Sequence, residues 1–183
     1  MIPVGYMAKR VSKRPDWVKA PKIVDIYSVS GCISENFADY IKYWKHNGYW
    51  FFDSPDIIQK IAKENSHQLE RTSLFYYEAY ELELDSESWQ RYIPEPSFPI
   101  NVTPPHRKEL KGFDVVTFFT RNSPGCSPLS CNSLAQSLPT NEHCLLPSFE
   151  AAEANLKSGA FKNSEPGPYR IYSVYCVDWP RSI

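Results

Sequence analysis

Apolar side chains recur at helical spacing in the first third of the chain. Four of them follow the i, i+3, i+4, i+7 pattern of an amphipathic helix: Phe37, Tyr40, Ile41 and Trp44. Ser34 is suited to cap the start of this helix and Gly48 to end it. Compact apolar runs at 23–30 and 74–84 have strand character. These patterns predict a helix that lies between two strands in the sequence.

A second helix is predicted after a short apolar stretch at 49–52. Ser54 is placed to cap it, and Pro55 suits its first helical position. Asp56 puts a negative charge in the first turn, where the helix dipole favours it. The order of elements is β-α-(β)-α-β, and the predicted fold class is α+β. If 49–52 is a true strand, the outer strands can run parallel; if it is a connector, they run antiparallel.

A similar order of elements recurs in the second half of the chain. Three groups of positions match: Gly31-Cys32 with Gly125-Cys126 at an offset of 94, Asp25-Ile26 with Asp114-Val115 at 89, and Tyr77 with Tyr172 at 95. At the offset of 94 the four helix positions fall on Cys131, Leu134, Ala135 and Leu138. Few positions are identical, so the match depends on the shared pattern. We therefore predict an internal duplication, with two pseudo-symmetric halves packed as one compact body.

The matches divide the chain into four predicted segments. These are a basic strand and loop at 1–22, a first repeat at 23–92, a proline-rich linker at 93–112 and a second repeat at 113–183. Prolines make the linker stiff and extended. A chain of 183 residues can bury about 70% of its unfolded surface, so a substantial core is expected.

The formal net charge of -1 conceals an uneven distribution. Residues 1–22 are basic, whereas 24–92 carry twice as many acidic as basic side chains. We expect the basic leader to complement the acidic repeat, within a monomer or across a homodimer. Nucleic acid is not an expected partner, because no recognition motif is present and the acidic body would repel a polyanion. No apolar run suits a membrane span or signal peptide, so a cytoplasmic location is expected.

Five cysteines without paired spacing are interpreted as reduced thiols. The run Cys126-x4-Cys131 followed by His143-Cys144 has ligands suited to zinc, but its second pair lacks the usual spacing. The duplication places Cys131 opposite Phe37 and Cys144 opposite Trp50. Because large apolar groups fill these positions in the first repeat, both cysteines are expected to be small buried apolar groups. Core packing is therefore favoured, and no metal or other cofactor is predicted.

The matched cysteines and aspartates are the candidate catalytic residues. Cys32 and Cys126 each lie where a strand is predicted to give way to a helix, whose dipole would lower the thiol pKa. The alternative is a small residue in a tight Gly-Cys turn. Asp25 and Asp114 would face one another across a pseudo-twofold axis as paired acids. The alternative is a structural aspartate bonded to a nearby backbone N–H.

An acidic face toward the end of the run at 74–84 is the candidate partner-binding surface. It comprises Glu81, Glu83, Asp85 and Glu87. The equivalent face of the second repeat is neutral, so the fold does not require it; a solvated face or a protected strand edge is the alternative. The leading hypothesis is a non-catalytic binding protein of inhibitor, immunity or regulatory type with a basic protein partner. The alternative is an enzyme or small-ligand binder with an aromatic-lined pocket between the repeats.

Overall fold

The computed structural model describes residues 1–41, 46–94, 101–118 and 124–180. The predicted helix position Trp44 and the middle of the predicted linker lie outside these residues. The elements in chain order are β1 (Ile2–Arg10), β2 (Ser12–Lys13), β3 (Asp25–Ile26), β4 (Glu35–Asn36), α1 (Pro55–Glu64), β5 (Ser73–Ala79), β6 (Leu82–Asp85), β7 (Ser88–Arg91), β8 (Glu109–Thr117), α2 (Pro128–Cys131), α3 (Phe149–Lys157) and β9 (Tyr169–Val177). Single 3-10 turns occur at Phe37–Tyr40 and Leu134–Gln136.

A seven-stranded antiparallel sheet with few helices makes this a mixed α+β fold. At its centre β5 pairs with β1 on one edge and with β9 on the other, and β8 pairs with the far edge of β9. The short β4 extends the sheet beyond β1, while β6 and β7 continue it beside the start of β9. Within the described residues, no helix has the length and apolar character needed to cross a bilayer.

The central strand β5 is buried on both faces. Residues 74–77 are all inaccessible, so the polar alternation of a half-exposed strand is absent. The buried residues of β5 belong to the first of two apolar clusters among the described residues. The first also includes Phe51, Phe52 and Ile58; the second includes Leu129, Leu156 and Ile171.

Strands β1 and β8 share a local distortion at a glycine. Gly5 has φ +133° and Gly112 has φ +144°, and the pairing register shifts at each. A Cβ at Gly5 would lie 2.6 Å from the Phe52 carbonyl oxygen, and one at Gly112 would lie 2.8 Å from that of Leu146. Only glycine allows another backbone segment this close.

The segment that approaches each glycine is held in the same way. Tyr6 exchanges two backbone hydrogen bonds with Phe52, and residue 113 does so with residue 146. The Asn47 side-chain amide donates to the Val4 carbonyl (2.8 Å), and the Asn141 amide donates to that of residue 111 (2.6 Å). The stretches at 49–52 and 144–146 are therefore connectors that each contribute one bridging residue, and the strands around them run antiparallel.

Within the part of the first predicted helix that the structure describes, the helical residues are those of the 3-10 turn Phe37–Tyr40. Ile41 is extended, with φ -115° and ψ 101°, and this conformation ends the helix. Ser34 is not its cap, because the Ser34 hydroxyl accepts from the Ser12 N–H and donates to the Ile26 carbonyl. Instead the Asp39 carboxylate accepts from the backbone N–H of residue 36 at the start of the turn (2.9 Å).

Two predicted strands are also shorter than expected. The run at 23–30 contributes only β3, which pairs with β2 in a separate two-stranded sheet. The run at 74–84 is interrupted at Tyr80 and Glu81, which divide it into β5 and β6. By contrast, α1 and α3 begin directly after Ser54 and Ser148, the serines that the pattern predicts as caps.

Candidate functional site: a cysteine cluster and an acidic groove

Three cysteines from distant parts of the sequence meet at one place. The Sγ atoms of Cys32, Cys126 and Cys131 all lie within 4.8 Å of one another. Cys32 is exposed in the loop before β4, whereas Cys126, just before α2, and Cys131, its last residue, are half-buried. The predicted core position of Cys131 is therefore wrong, because α2 is a single short helix that turns this side chain toward the other two thiols.

The backbone around Cys126 is anchored to the end of β8. The Thr117 N–H donates to the Cys126 carbonyl (2.9 Å), and the Gly125 N–H donates to the Thr117 carbonyl (2.8 Å). The Cys131 N–H donates back to the Ser127 carbonyl (2.8 Å), which closes the turn between the two cysteines. The Cys32 thiol donates across to the Gly125 carbonyl (3.3 Å). Hydrogen bonds thus position all three sulfur atoms.

A buried lysine on β1 supplies positive charge to the cluster. Lys9 Nζ donates to the carbonyls of Ser28 and Ser30, the latter at 2.8 Å. Burial lowers the pKa of Lys9 to about 8, and attraction to Asp114, Cys32 and Cys131 opposes this. In the sequence Lys9 is one of the basic residues of the leader at 1–22, and the apolar stretch at 6–8 just before it is the signal of its burial.

The neighbouring thiols shift the pKa of Cys32. Donation from the Cys126 and Cys131 thiols lowers the pKa of Cys32 well below its usual value, and Lys9 adds to this effect. Hydrogen bonds with Cys131 and then with Cys32 raise the pKa of Cys126. The expected helix dipole is not the cause, because Cys126 precedes a helix of four residues and Cys32 precedes a two-residue strand.

A small pocket of about 310 Å³ opens beside Cys32. Its lining includes Met7, Gly31, Phe51, Pro124 and Gly125, so segments from both halves of the chain contribute. It gives the cysteine cluster access to solvent. Most of the tyrosines that the sequence suggests for a pocket lining lie elsewhere; residues 76, 77 and 172 are fully buried.

The candidate aspartates each have their own partners. An Asp25 carboxylate oxygen lies 2.6 Å from His143 Nδ1, at hydrogen-bond distance. The His143 imidazole stacks on the ring of Tyr27. Asp114 is buried on β8, where its carboxylate accepts from the Val29 N–H (2.8 Å) and the Ser127 hydroxyl (2.6 Å). Asp114 therefore has the backbone contact that the structural interpretation predicts.

The zinc-like run seen in the sequence is also divided. His143 is engaged by Asp25, and Cys144 is buried in the apolar core. Within the described residues, neither of them belongs to the group that Cys126 and Cys131 form. Cys32, which is 94 residues before Cys126, takes the third position.

The four residues of the candidate acidic face do not share one exposed surface. Glu83 is buried, and its carboxylate accepts from Arg170 Nε (3.0 Å) and Nη2 (2.9 Å). The Arg170 guanidinium lies between the rings of Tyr92 and Phe118, at 3.0 and 3.7 Å from their centroids. Glu83 is therefore not a surface residue, while Glu81 remains exposed at the start of β6.

Two other residues of that face border a groove of about 790 Å³. The groove lies between the β6–β7 turn and the segment after α3, and its lining includes Asp85, Glu87, Trp89, Phe161, Lys162 and Tyr169. Glu87 is exposed and lies 4.0 Å from Lys162. Carboxylates thus stand on one rim, with aromatic rings lining part of the groove.

No protein-family model, curated protein or solved structure matches the chain.

Proposed function

We propose that this chain is a non-catalytic binding protein that recognises a basic segment of a partner protein in the groove beside the β6–β7 turn. The observation that carries this proposal is the position of Asp85 and Glu87 beside a groove to which Trp89 and Tyr169 contribute partly exposed rings. The binding surface is thereby narrower than the acidic face predicted from sequence. Glu81 extends it along β6, and Glu83 is not part of it.

This combination of groups suits lysine and arginine side chains. An aromatic face attracts a cation within about 6 Å of its centroid, and a carboxylate on the rim accepts a charge-assisted hydrogen bond. The hydrocarbon part of the same side chain can pack against the rings. A groove of about 790 Å³ has room for several such side chains.

Two lysines also line the groove, but they do not prevent this. Lys157 is paired with Glu153 at 2.9 Å, and Lys162 faces Glu87. Glu87 and Lys162 are separated by 4.0 Å and both are mostly exposed, so water and salt screen their attraction. A cation from a partner can replace Lys162 beside Glu87 at little cost. The burial of residues 76, 77 and 172 also favours this function over catalysis in an aromatic-lined pocket, because those rings already contribute to the core.

Binding of a defined peptide tests the proposal. The probe is a fluorescein-labelled peptide that alternates arginine with alanine, and an equally long glutamate–alanine peptide serves as the ligand control. We expect the basic peptide to bind, and the double variant Asp85→Lys/Glu87→Lys to weaken its affinity at least tenfold, as measured by fluorescence anisotropy at 0.15 M salt.

A matched variant separates the groove from general electrostatics. Glu64→Lys/Glu70→Lys makes the same change in net charge at exposed positions outside the groove. It should leave the affinity within about twofold. Equal weakening in both variants, or absence of binding by the basic peptide, would contradict the proposal.

We also propose that the chain consists of two copies of one unit, with β1 rather than residue 23 as the opening strand of the first copy. The glycine distortions at Gly5 and Gly112 and the amide contacts of Asn47 and Asn141 support it. The asparagines keep the offset of 94 seen in the sequence, whereas the glycines are 107 apart. The first copy then has an insertion between β1 and Gly31, where the match at an offset of 94 begins.

A further inference from the structure

We propose that Cys32, Cys126 and Cys131 bind one thiophilic divalent ion of the zinc class as three thiolates, with a fourth coordination position left open. The inference concerns the cysteine cluster alone. It is independent of the groove and of the partner proposed above.

The sulfur positions fit a tetrahedral ion with little adjustment. Zinc–sulfur bonds of about 2.3 Å place neighbouring sulfurs about 3.8 Å apart in a tetrahedron. The three Sγ atoms already lie within 4.8 Å of one another. The remaining displacement is at most about 1 Å for each pair of sulfurs, which is within the reach of rotation about the cysteine side-chain bonds.

The loops that carry these ligands are held in place without an ion. Cys126 is tied to β8 through Thr117, and the turn to Cys131 is closed at Ser127. The loop before Cys32 is held by the contacts of Lys9 with the carbonyls of Ser28 and Ser30. An ion would therefore meet a largely organised site, and this reduces the entropy cost of binding.

The charges of the metal-bound site give Lys9 a role. When each thiol binds, its S–H bond breaks, the proton passes to buffer and a sulfur–metal bond forms; no oxidation or reduction occurs. Three thiolates and a divalent ion sum to one negative charge. The buried Lys9 ammonium, close enough to interact electrostatically with Cys32 and Cys131, offsets that charge.

The open position follows from exposure on one side of the cluster. Cys32 is exposed, and the pocket of about 310 Å³ reaches it from solvent. Three protein ligands and a place for water or an external ligand are typical of zinc sites that exchange a ligand. Thiolates select zinc and similar ions over magnesium and calcium, which prefer oxygen.

Titration of the full chain with Co²⁺ tests the proposal. The reduced, metal-free protein under nitrogen should develop sulfur-to-cobalt charge-transfer absorption that saturates at one ion per chain and disappears when Zn²⁺ is added. Cys32→Ser, Cys126→Ser and Cys131→Ser should each weaken binding at least about 100-fold, because changes in the outer shell alone cost 10–100-fold. Mg²⁺ should not displace the cobalt.

The matched control is Cys176→Ser, which removes a half-buried thiol from β9, outside the cluster. It should bind Co²⁺ within about threefold of the unaltered chain. An equal loss in this variant, or a titration without charge-transfer absorption, overturns the proposal.

A measurement on the unaltered chain avoids any folding defect in the variants. Zn²⁺ should protect Cys32, Cys126 and Cys131 from iodoacetamide, while the reactivity of Cys176 stays unchanged, as read by peptide mass spectrometry. Equal alkylation of the three with and without Zn²⁺ overturns the proposal. So does a disulfide between any two of them that persists in reducing buffer.

Discussion

Several charged side chains of this protein are buried, and each has groups that replace water. Arg170 is the largest fully buried side chain among the described residues, and Glu83 and two aromatic rings surround it. Lys9 relies on two backbone carbonyls, and Asp114 relies on a backbone N–H and a hydroxyl. Removal of one partner from such a set lowers the stability of the folded state by more than the intact pair contributes to it, because the remaining charge is then buried without solvation.

Glu83→Ala should therefore be among the most destabilising single substitutions. It leaves the Arg170 guanidinium buried without its carboxylate, and we expect a loss of about 3–5 kcal/mol in the free energy of unfolding by urea. Glu81→Ala changes an exposed glutamate two positions earlier and should cost under about 0.5 kcal/mol. Similar effects of the two substitutions would contradict the buried pair.

Asp114 makes stability depend on pH. Burial raises its pKa from 3.8 to about 6, despite the hydrogen bonds from Ser127 and Val29 and the attraction of Lys9. The folded state therefore binds the proton more tightly than the unfolded state. This contribution is complete below about pH 3.8 and is lost as the pH rises through 6, by about 3 kcal/mol in total.

The expected result is a difference between the unaltered chain and Asp114→Asn in how the free energy of unfolding varies with pH. In urea unfolding of the metal-free chain between pH 4 and 7, Asp114→Asn should lack this component of the decline. Lys9 and Tyr77 also face this carboxylate electrostatically, but their pKa values lie above that range. Identical pH profiles for the two proteins would show that Asp114 does not titrate there.

Residue-level roles were predictable where they depend on local pattern. Ser148 caps α3 as expected, since its hydroxyl accepts from the Ala151 N–H. Glu83 was misassigned because alternation was extended across the break at Tyr80, which the sequence does not mark with glycine or proline. Burial of Lys9 likewise depends on carbonyls 19 and 21 residues later in the chain.

At the scale of elements, close backbone approaches shape β1 and β8. In each strand the glycine allows a connector to pack directly against the backbone. The side-chain amide of the asparagine before that connector hydrogen-bonds to a carbonyl of the strand and holds the connector there. Helical periodicity predicted α1 and α3 but overestimated the helix after Ser34. That serine is committed to contacts with β2 and β3, and Ile41 is extended.

Gly112→Ala should be strongly destabilising. Its Cβ would lie 2.7 Å from Leu145 Cβ and 2.8 Å from the Leu146 carbonyl oxygen, at a φ of +144°. We expect a loss of about 2–4 kcal/mol in thermal or urea unfolding, and a similar loss for Gly5→Ala if the two strands are copies of one element. Gly159→Ala also has positive φ but only side-chain atoms of Lys162 nearby, so it should cost about 1–2 kcal/mol. Costs below that control would contradict the close approach.

For the whole molecule, the matched Gly-Cys pairs were the most useful sequence signal. They predicted that Cys32 and Cys126 are equivalent, and the Cys32 thiol contacts the Gly125 carbonyl. The third member was missed because the alignment placed Cys131 on a long amphipathic helix opposite Phe37. A one-turn helix instead directs Cys131 to the other two sulfurs, and such a convergence is a property of tertiary structure.

The sulfurs of Cys32, Cys126 and Cys131 together form the proposed metal site. X-ray absorption at the zinc K-edge of the zinc-loaded full chain measures the ligands directly. For the proposed three-thiolate site we expect three sulfur scatterers at about 2.3 Å and one oxygen or nitrogen at about 2.0 Å. A shell of nitrogen and oxygen alone, or two sulfurs with histidine, would contradict it.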